Sequence, residues 1–135
     1  MPNGSTAQNT GTGYLKVRVM LADNALPVRG ASVTVTTGAG EGAVLINKQT
    51  TNVSGETEII ELPTPPKELS LTPGNENTFA KYNVRVDLPG YYTVENIDVP
   101  VFDGQVSLQP TQMIPLPLSD NSDKRVTIYE DQIEL

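Results

Sequence analysis

The side chains best suited to chemistry in this sequence are acidic. Glu56, Glu58 and Glu61 lie close together, and a glycosidase needs two opposed carboxylates about 5–9.5 Å apart. Acids that alternate along one strand, however, usually project from a single face into solvent. We therefore interpret these glutamates as a solvated strand face and predict no catalytic residue among them.

A second acidic group, Asp120-Asn121-Ser122-Asp123, offers the oxygen ligands that calcium prefers. It lacks the Asp-x-Asp-x-Asp-Gly spacing of a calcium loop. We interpret it as a polar linker and predict no metal site.

The sequence contains 0 Cys and 0 His. Without them the chain cannot build a thiolate nucleophile, a Ser-His-Asp triad, a histidine general base or a histidine- or cysteine-ligated zinc site. The glycine-rich stretch 38–42 has no lysine and no following helix, so it does not match a phosphate-binding loop. We therefore expect a protein that is not an enzyme and that binds no cofactor.

The net charge of the chain argues against two classes of partner. A net charge of −7 and a pI of about 4.4 argue against nucleic acid and against an anionic membrane surface. Residues 1–13 are small and polar and contain no apolar run, so we predict no signal peptide and expect synthesis in the cytoplasm.

Any site must be held by strands, because strict alternation dominates the sequence. In 14–21, Leu15, Val17 and Val19 share one face, whereas Lys16 and Arg18 share the other. One apolar and one polar face indicate an antiparallel sheet with one side in water. The further predicted strands are 31–37, 43–51, 56–62, 79–88, 91–101 and 105–116.

Seven short strands separated by turns predict an all-β fold, a single seven-stranded antiparallel β-sandwich of the prealbumin-like or Ig-like type. It should occupy residues 14–118, between a flexible arm (1–13) and a linker with an extended tail (119–135). The proline-rich stretch 63–77 is expected to cross between the sheets, with Leu69 and Leu71 holding it to the core. Four glycines mark structural turns, and we expect a positive φ at Gly30 or Gly90 at least: Gly30, Gly55, Gly90 and Gly104.

The tail contains a second alternating run that the seven strands do not need, Val126 to Glu130. Such a run can add to the sheet edge of a partner, or it can fold back as an eighth strand of its own sandwich. We predict partner binding, with Val126 and Ile128 buried in the contact and Tyr129 and Glu130 at its rim.

Three motifs resemble the transthyretin-like, carboxypeptidase-regulatory-like β-sandwich domain. They are Pro27-Val28-x-Gly30-Ala31-x-Val33-x-Val35, Thr51-Asn52-x-x-Gly55-x-Thr57 and Val84-x-Val86-x-x-Pro89-Gly90-Tyr91. Asn52 stands where that family usually has Asp. Related bacterial surface sandwiches join a core lysine to a core amide or acid. Here Lys16 and Lys81 fall on polar faces, and the position of Lys48 is ambiguous.

A narrower resemblance is carried by the proline-rich segment 62–73 together with Val101-Phe102-x-Gly104 and Gln109-Pro110. These residues are similar to the N-terminal module of clostridial spore-cortex-lytic enzymes and to stand-alone Firmicutes proteins that carry it. In the lytic enzymes the hydrolase is a separate domain. The resemblance therefore implies a scaffold and no activity.

Together these features predict a structural or adaptor module that contacts other protein subunits, which can be copies of itself. The expected setting is a bacterial assembly such as a phage-tail-like particle or a spore layer. The alternative is a cell-wall or carbohydrate-binding module that recognises peptidoglycan. Seven aromatic residues, Tyr 5 and Phe 2, supply few stacking platforms, and we expect Tyr91 to be structural.

Overall fold

The computed structural model describes residues 11–21, 25–38, 43–66, 79–117 and 125–130, and all regular structure within them is strand. The predicted anchors Leu69 and Leu71 lie outside these residues. The strands are β1 (Gly11–Leu21), β2 (Leu26–Pro27), β3 (Ser32–Thr37), β4 (Val44–Thr50), β5 (Ile60–Thr64), β6 (Phe79–Asp87), β7 (Thr93–Phe102), β8 (Val106–Gln112) and β9 (Arg125–Tyr129).

The strands form two sheets, which confirms the predicted β-sandwich. In the four-stranded sheet, β1 pairs with β2, β5 and β8; the five-stranded sheet has the order β4-β3-β6-β7-β9. Among the described residues, no helix has the length and hydropathy needed to cross a membrane.

Two details of the predicted sheet are wrong. There are nine described strands instead of seven, because a two-residue β2 lies inside a predicted turn and β9 lies in the tail. Two pairings, β1–β8 and β7–β9, are parallel. Alternation indicates only that one face of a strand is in water. A strand can run in either direction when its partner is not the strand that precedes it in the chain, as is the case for β8 with β1 and for β9 with β7.

The start of β1 also departs from the prediction, which placed residues 1–13 in a flexible arm. Gly11 and Gly13 are buried and pair with Thr64 and Leu62 of β5. A Cβ atom at Gly13 would lie 2.5 Å from Val101 Cγ1, so this strand end passes closely beneath β7. Two glycines leave no hydrophobic alternation, and for that reason the sequence did not reveal the strand.

The core lies between the sheets and contains the residues that alternation placed inward. Val17 and Val84 are fully buried, and Tyr82 is buried with its hydroxyl donating to the Pro63 carbonyl oxygen. Burial raises the pKa of the Tyr82 phenol, so that hydroxyl keeps its proton and remains a donor. The buried apolar residues are Leu15, Val17, Val19, Val28, Ala31, Val33, Val35, Ile60, Leu62, Tyr82, Val84, Val86, Val94, Val99, Val101 and Met113.

Two buried threonines hold the segment that crosses between the sheets after β4. The Thr51 hydroxyl donates to the Val28 carbonyl at 2.6 Å and accepts from the Ala31 N–H at 2.9 Å. Thr57 Oγ1 accepts from the Val17 N–H at 3.0 Å. These bonds replace a regular ladder, which explains why the strand predicted at 56–62 begins at Ile60.

All four predicted turn glycines have positive φ, which confirms the prediction for Gly30 and Gly90. The angles are 85° at Gly30, 76° at Gly55, 91° at Gly90 and 75° at Gly104. Only at Gly55 among these four is space also lacking, because a Cβ atom would lie 2.5 Å from the Val19 carbonyl oxygen. That turn therefore requires glycine for two independent reasons.

Candidate functional site: the edges and outer face of the five-stranded sheet

The strand β4 is one edge of the five-stranded sheet and carries an exposed apolar run. Val44, Leu45 and Ile46 are 56%, 60% and 39% exposed. Among the described residues only β3 pairs with β4, and the register shifts so that Leu45 faces Thr36 while Asn47 faces Val35. Ile46 therefore lies in a bulge without a direct partner.

The other half of β4 is polar. Asn47 and Gln49 face β3 residues that point into the core, and Gln49 Oε1 accepts from the Glu58 N–H at 2.9 Å. Asn47 Oδ1 is buried and has no hydrogen-bond partner among the described residues. Lys48 is exposed on the outer face. A lysine on an edge strand discourages pairing with other chains, so the end of β4 carries a protecting charge that the apolar start of the strand lacks.

The opposite edge of the same sheet is β9, which contains the predicted partner-binding residues Val126, Ile128 and Tyr129, and Glu130 follows it directly. It pairs with β7 in parallel, and the Glu130 N–H donates to the Ile97 carbonyl at 2.7 Å. Val126 lies beside Val94 and is partly buried, whereas Ile128 and Tyr129 are 43% and 57% exposed.

Of the two alternatives for the tail, the single chain adopts an additional strand of its own sandwich. Partner binding by Val126, Ile128, Tyr129 and Glu130 stays a prediction. The structure brings these four residues to a sheet edge, where Glu130 Oε2 also accepts from Gln109 Nε2 at 3.4 Å. The sequence showed the alternation of the tail but not the strand with which it pairs.

A groove of about 590 Å³ crosses the outer face of this sheet. Thr34, Arg85 and Glu95 are neighbours on three adjacent strands and form part of its floor, and Tyr129 forms part of its wall. Hydroxyl, guanidinium, carboxylate and aromatic groups together suit a polar ligand with a flat apolar side, such as a sugar ring.

Asp98, which also lines this groove, has a φ of 62°, and it is the one non-glycine residue with positive φ in the described part of the chain. It lies in the bulge that shifts the register between β6 and β7, and its N–H donates to Asn83 Oδ1 at 3.0 Å. Asn83 Nδ2 in turn donates to the Gly38 carbonyl at 2.8 Å. The Asn83 amide thus ties the bulge to the loop after β3, which the sequence did not predict.

The three predicted glutamates do not form a site. Glu56 Oε1 lies 3.0 Å from Lys16 Nζ, and Glu56 Oε2 lies 3.1 Å from Arg18 Nη2. Hydrogen bonds from Lys16 and then from Arg18 lower the pKa of the Glu56 carboxyl, which favours its ionised form. Glu58 and Glu61 are exposed. The structure therefore places one acid in an ion-pair cluster and two in solvent.

The remaining sequence-predicted features are placed as follows. Lys48 and Lys81 are exposed and Lys16 is paired with Glu56, so none of these three lysines is in the core. Tyr91 packs against the core, as expected for a structural residue. No cluster of three acids suited to a metal exists among the described residues, and Asp120 to Asp123 lie outside them.

No protein-family model and no curated protein matches the sequence. Solved structures do match in fold. The minor pilin GBS52 of Streptococcus agalactiae is 12% identical with a TM-score of 0.55, over 85% of this chain and 49% of that one. The shaft pilin SpaA of Lactobacillus rhamnosus GG is 13% identical with a TM-score of 0.52, over 78% of this chain and 52% of that one.

Enzymes share the fold as well. Catechol 1,2-dioxygenase of Acinetobacter radioresistens is 13% identical with a TM-score of 0.52, over 94% of this chain and 60% of that one. The chain thus spans about half the length of the pilins, and somewhat more of the dioxygenase. At these identities the likeness concerns the fold alone, and the fold is a β-sandwich of the kind found in pilin domains.

Proposed function

We propose that this chain is a non-catalytic structural or adaptor module that makes protein–protein contacts in a bacterial assembly. The observation that carries the proposal is the exposed apolar run Val44 to Ile46 on the edge strand β4. An edge strand presents unpaired main-chain groups, and natural proteins often protect such edges with charged side chains. The run Val44 to Ile46 carries no charge, although the bulge at Ile46 interrupts its register with β3. Three consecutive exposed apolar side chains favour a strand that pairs with another chain.

The ion pairs made by Glu56 support a non-catalytic role for this residue. The Glu56 carboxylate is ion-paired with Lys16 and Arg18 on the outer face of the four-stranded sheet. Its lowered pKa makes it a poor general acid, because a general acid must carry a proton near neutral pH.

The finer part of the proposal concerns the assembly. We place the module in a phage-tail-like particle or a spore layer, where its partners are protein subunits and where it arrives after synthesis in the cytoplasm. This setting is supported by the resemblance of 62–73 to the clostridial module. The likeness in fold to a minor pilin and to a shaft pilin supports only the use of such a sandwich as a structural module.

The test uses a photo-crosslinking amino acid at position 45 in the organism that produces the protein. We expect ultraviolet light to join position 45 to another protein chain and to shift the protein to a higher mass. The matched control places the same amino acid at exposed position 29, outside the sheet edges. Equal crosslinking at both positions, or none at position 45, would contradict the proposal.

A second candidate function is binding to a cell-wall glycan, and the outer-face groove favours it. Thr34, Arg85, Glu95 and Asp98 supply polar contacts there, and Tyr129 supplies a ring. If the groove binds peptidoglycan, the protein should sediment with purified sacculi and Asp98→Gly should weaken sedimentation. Glycine accepts the positive φ of this position, so the change removes the carboxylate without backbone strain.

A further inference from the structure

We propose that copies of this chain associate head to tail: the outer edge of β9 in one copy pairs with the outer edge of β4 in the next, and no other described strand pairs with either edge. This inference rests on the proposed contact function and names the partner as a second copy. The two strands are the two ends of one sheet. Such pairing leaves the bonds of β9 to β7 and of β4 to β3 intact, so no part of the fold has to open.

The strand directions support this arrangement. β3 is antiparallel to β4 and to β6, β6 is antiparallel to β7, and β7 is parallel to β9. It follows that β4 and β9 run in opposite directions. When one copy continues the sheet of another, β9 therefore meets β4 as an antiparallel neighbour, which is the more stable pairing per residue.

The side chains on the two edges are also compatible. Leu45 shares the outer face with Thr36, and Tyr129 shares the outer face with Ile97. Both side chains are more than half exposed, at 60% and 57%. Continuing the sheet keeps the outer faces on the same side, so an aliphatic and an aromatic side chain can pack across the junction and leave water.

The resulting contact is heterologous, because it joins two different edges. Heterologous contacts form rings when the rotation between copies closes and open helical filaments when it does not. Five strands at about 20–25° of twist per strand rotate successive copies by roughly 100–125°. Each copy is also translated along the sheet by five strand spacings, roughly 24 Å. A rotation combined with a translation does not close into a ring, so we expect an open helical filament.

Cysteine crosslinking tests the proposal directly, because the chain contains 0 Cys. Tagged Leu45→Cys protein is mixed with untagged Tyr129→Cys protein under oxidising conditions. We expect a disulfide-linked heterodimer, and we expect the doubly substituted protein to form a ladder of multimers. Within one chain β4 and β9 are four strand spacings apart, roughly 19 Å, too far for an internal disulfide.

Three results would overturn the proposal. They are a Leu45→Cys homodimer alone, which indicates β4–β4 pairing, a Tyr129→Cys homodimer alone, which indicates β9–β9 pairing, and no disulfide dimer beyond that of the control. The control mixture contains Arg29→Cys in place of Leu45→Cys. If the control pattern is obtained while position 45 still crosslinks to other proteins in cells, the self-association fails and the contact function stands.

Discussion

β1 and β4 each contain several large apolar residues, yet these residues have opposite surroundings. β1 alternates, and Leu15, Val17 and Val19 are fully buried against the other sheet. β4 begins with three consecutive apolar residues, and all three are exposed. The difference arises from the faces on which the side chains lie, because Leu15, Val17 and Val19 alternate onto the inner face whereas Leu45 lies on the outer face. In addition, β4 is an edge strand, whereas β1 has three partners. Apolar content alone therefore does not decide which strand forms the core and which is available to another chain.

The sharpest test of this comparison introduces the same charge into each strand. Val17→Asp places a carboxylate in the fully buried core, and we expect a loss of at least about 3 kcal/mol in the free energy of unfolding. Leu45→Asp places it on the exposed edge and should change that free energy by less than about 0.5 kcal/mol. Urea denaturation measures both, and equal losses would show that β4 is covered.

The next largest effect concerns the turn that leads from β4 back to β1. Gly55→Ala introduces a Cβ atom that meets the Val19 carbonyl, at a φ of 76°, and should cost about 2–4 kcal/mol. Gly90→Ala has a φ of 91° but open space, so only backbone strain of about 1–2 kcal/mol is expected. Thermal unfolding should rank the two variants in this order. A smaller loss at Gly55 would mean that the crossing segment can shift away from β1.

A smaller loss is expected from the threonine that fixes the end of β4. Thr51→Val removes the hydroxyl that bonds Val28 and Ala31 and should cost about 1–3 kcal/mol. Thr50→Val makes the same substitution at the exposed residue next to Thr51 and should leave the free energy of unfolding nearly unchanged. Denaturation of the pair isolates the buried bonds, and similar stabilities would indicate that water replaces the Thr51 hydroxyl.

The smallest effect lies on the outer face of β1, where the sequence alone predicted that Lys16 faces solvent. Lys16 bonds Glu56, and this contact lowers the Glu56 pKa. The folded protein therefore holds the ionised carboxylate more tightly than the unfolded chain does. The stabilisation is present above the ordinary carboxyl pKa and is lost as the pH falls through the lowered value.

Lys16→Gln should consequently raise the Glu56 pKa, as followed by NMR titration, and should reduce the loss of stability on acidification. Lys81→Gln, on an exposed position of β6, is the control. An unchanged Glu56 titration in Lys16→Gln would show that Arg18 alone sets its pKa.

Much of the fold could be predicted from alternation, and what could not has a physical reason. The inward faces of β1, β3 and β6 follow from a period of two, which a half-buried strand requires. The directions of β8 and β9 could not be predicted in this way, because a strand with one face in water can alternate whether its neighbour is parallel or antiparallel. The exposure of Val44 to Ile46 could not be predicted either, because an apolar run is equally typical of a buried strand and of an edge strand.

The parallel pairing of β1 with β8 has a consequence for how the chain folds. Tyr14 pairs with Val106, and the Tyr14 N–H donates to the Gln105 carbonyl. The sheet around β1 therefore cannot be completed until the chain has been synthesised as far as β8. Contacts this distant in sequence slow folding because a large loop must close before they form. Until β8 has been synthesised and has paired, one edge of β1 has no partner from β8. We expect this step to limit the folding rate.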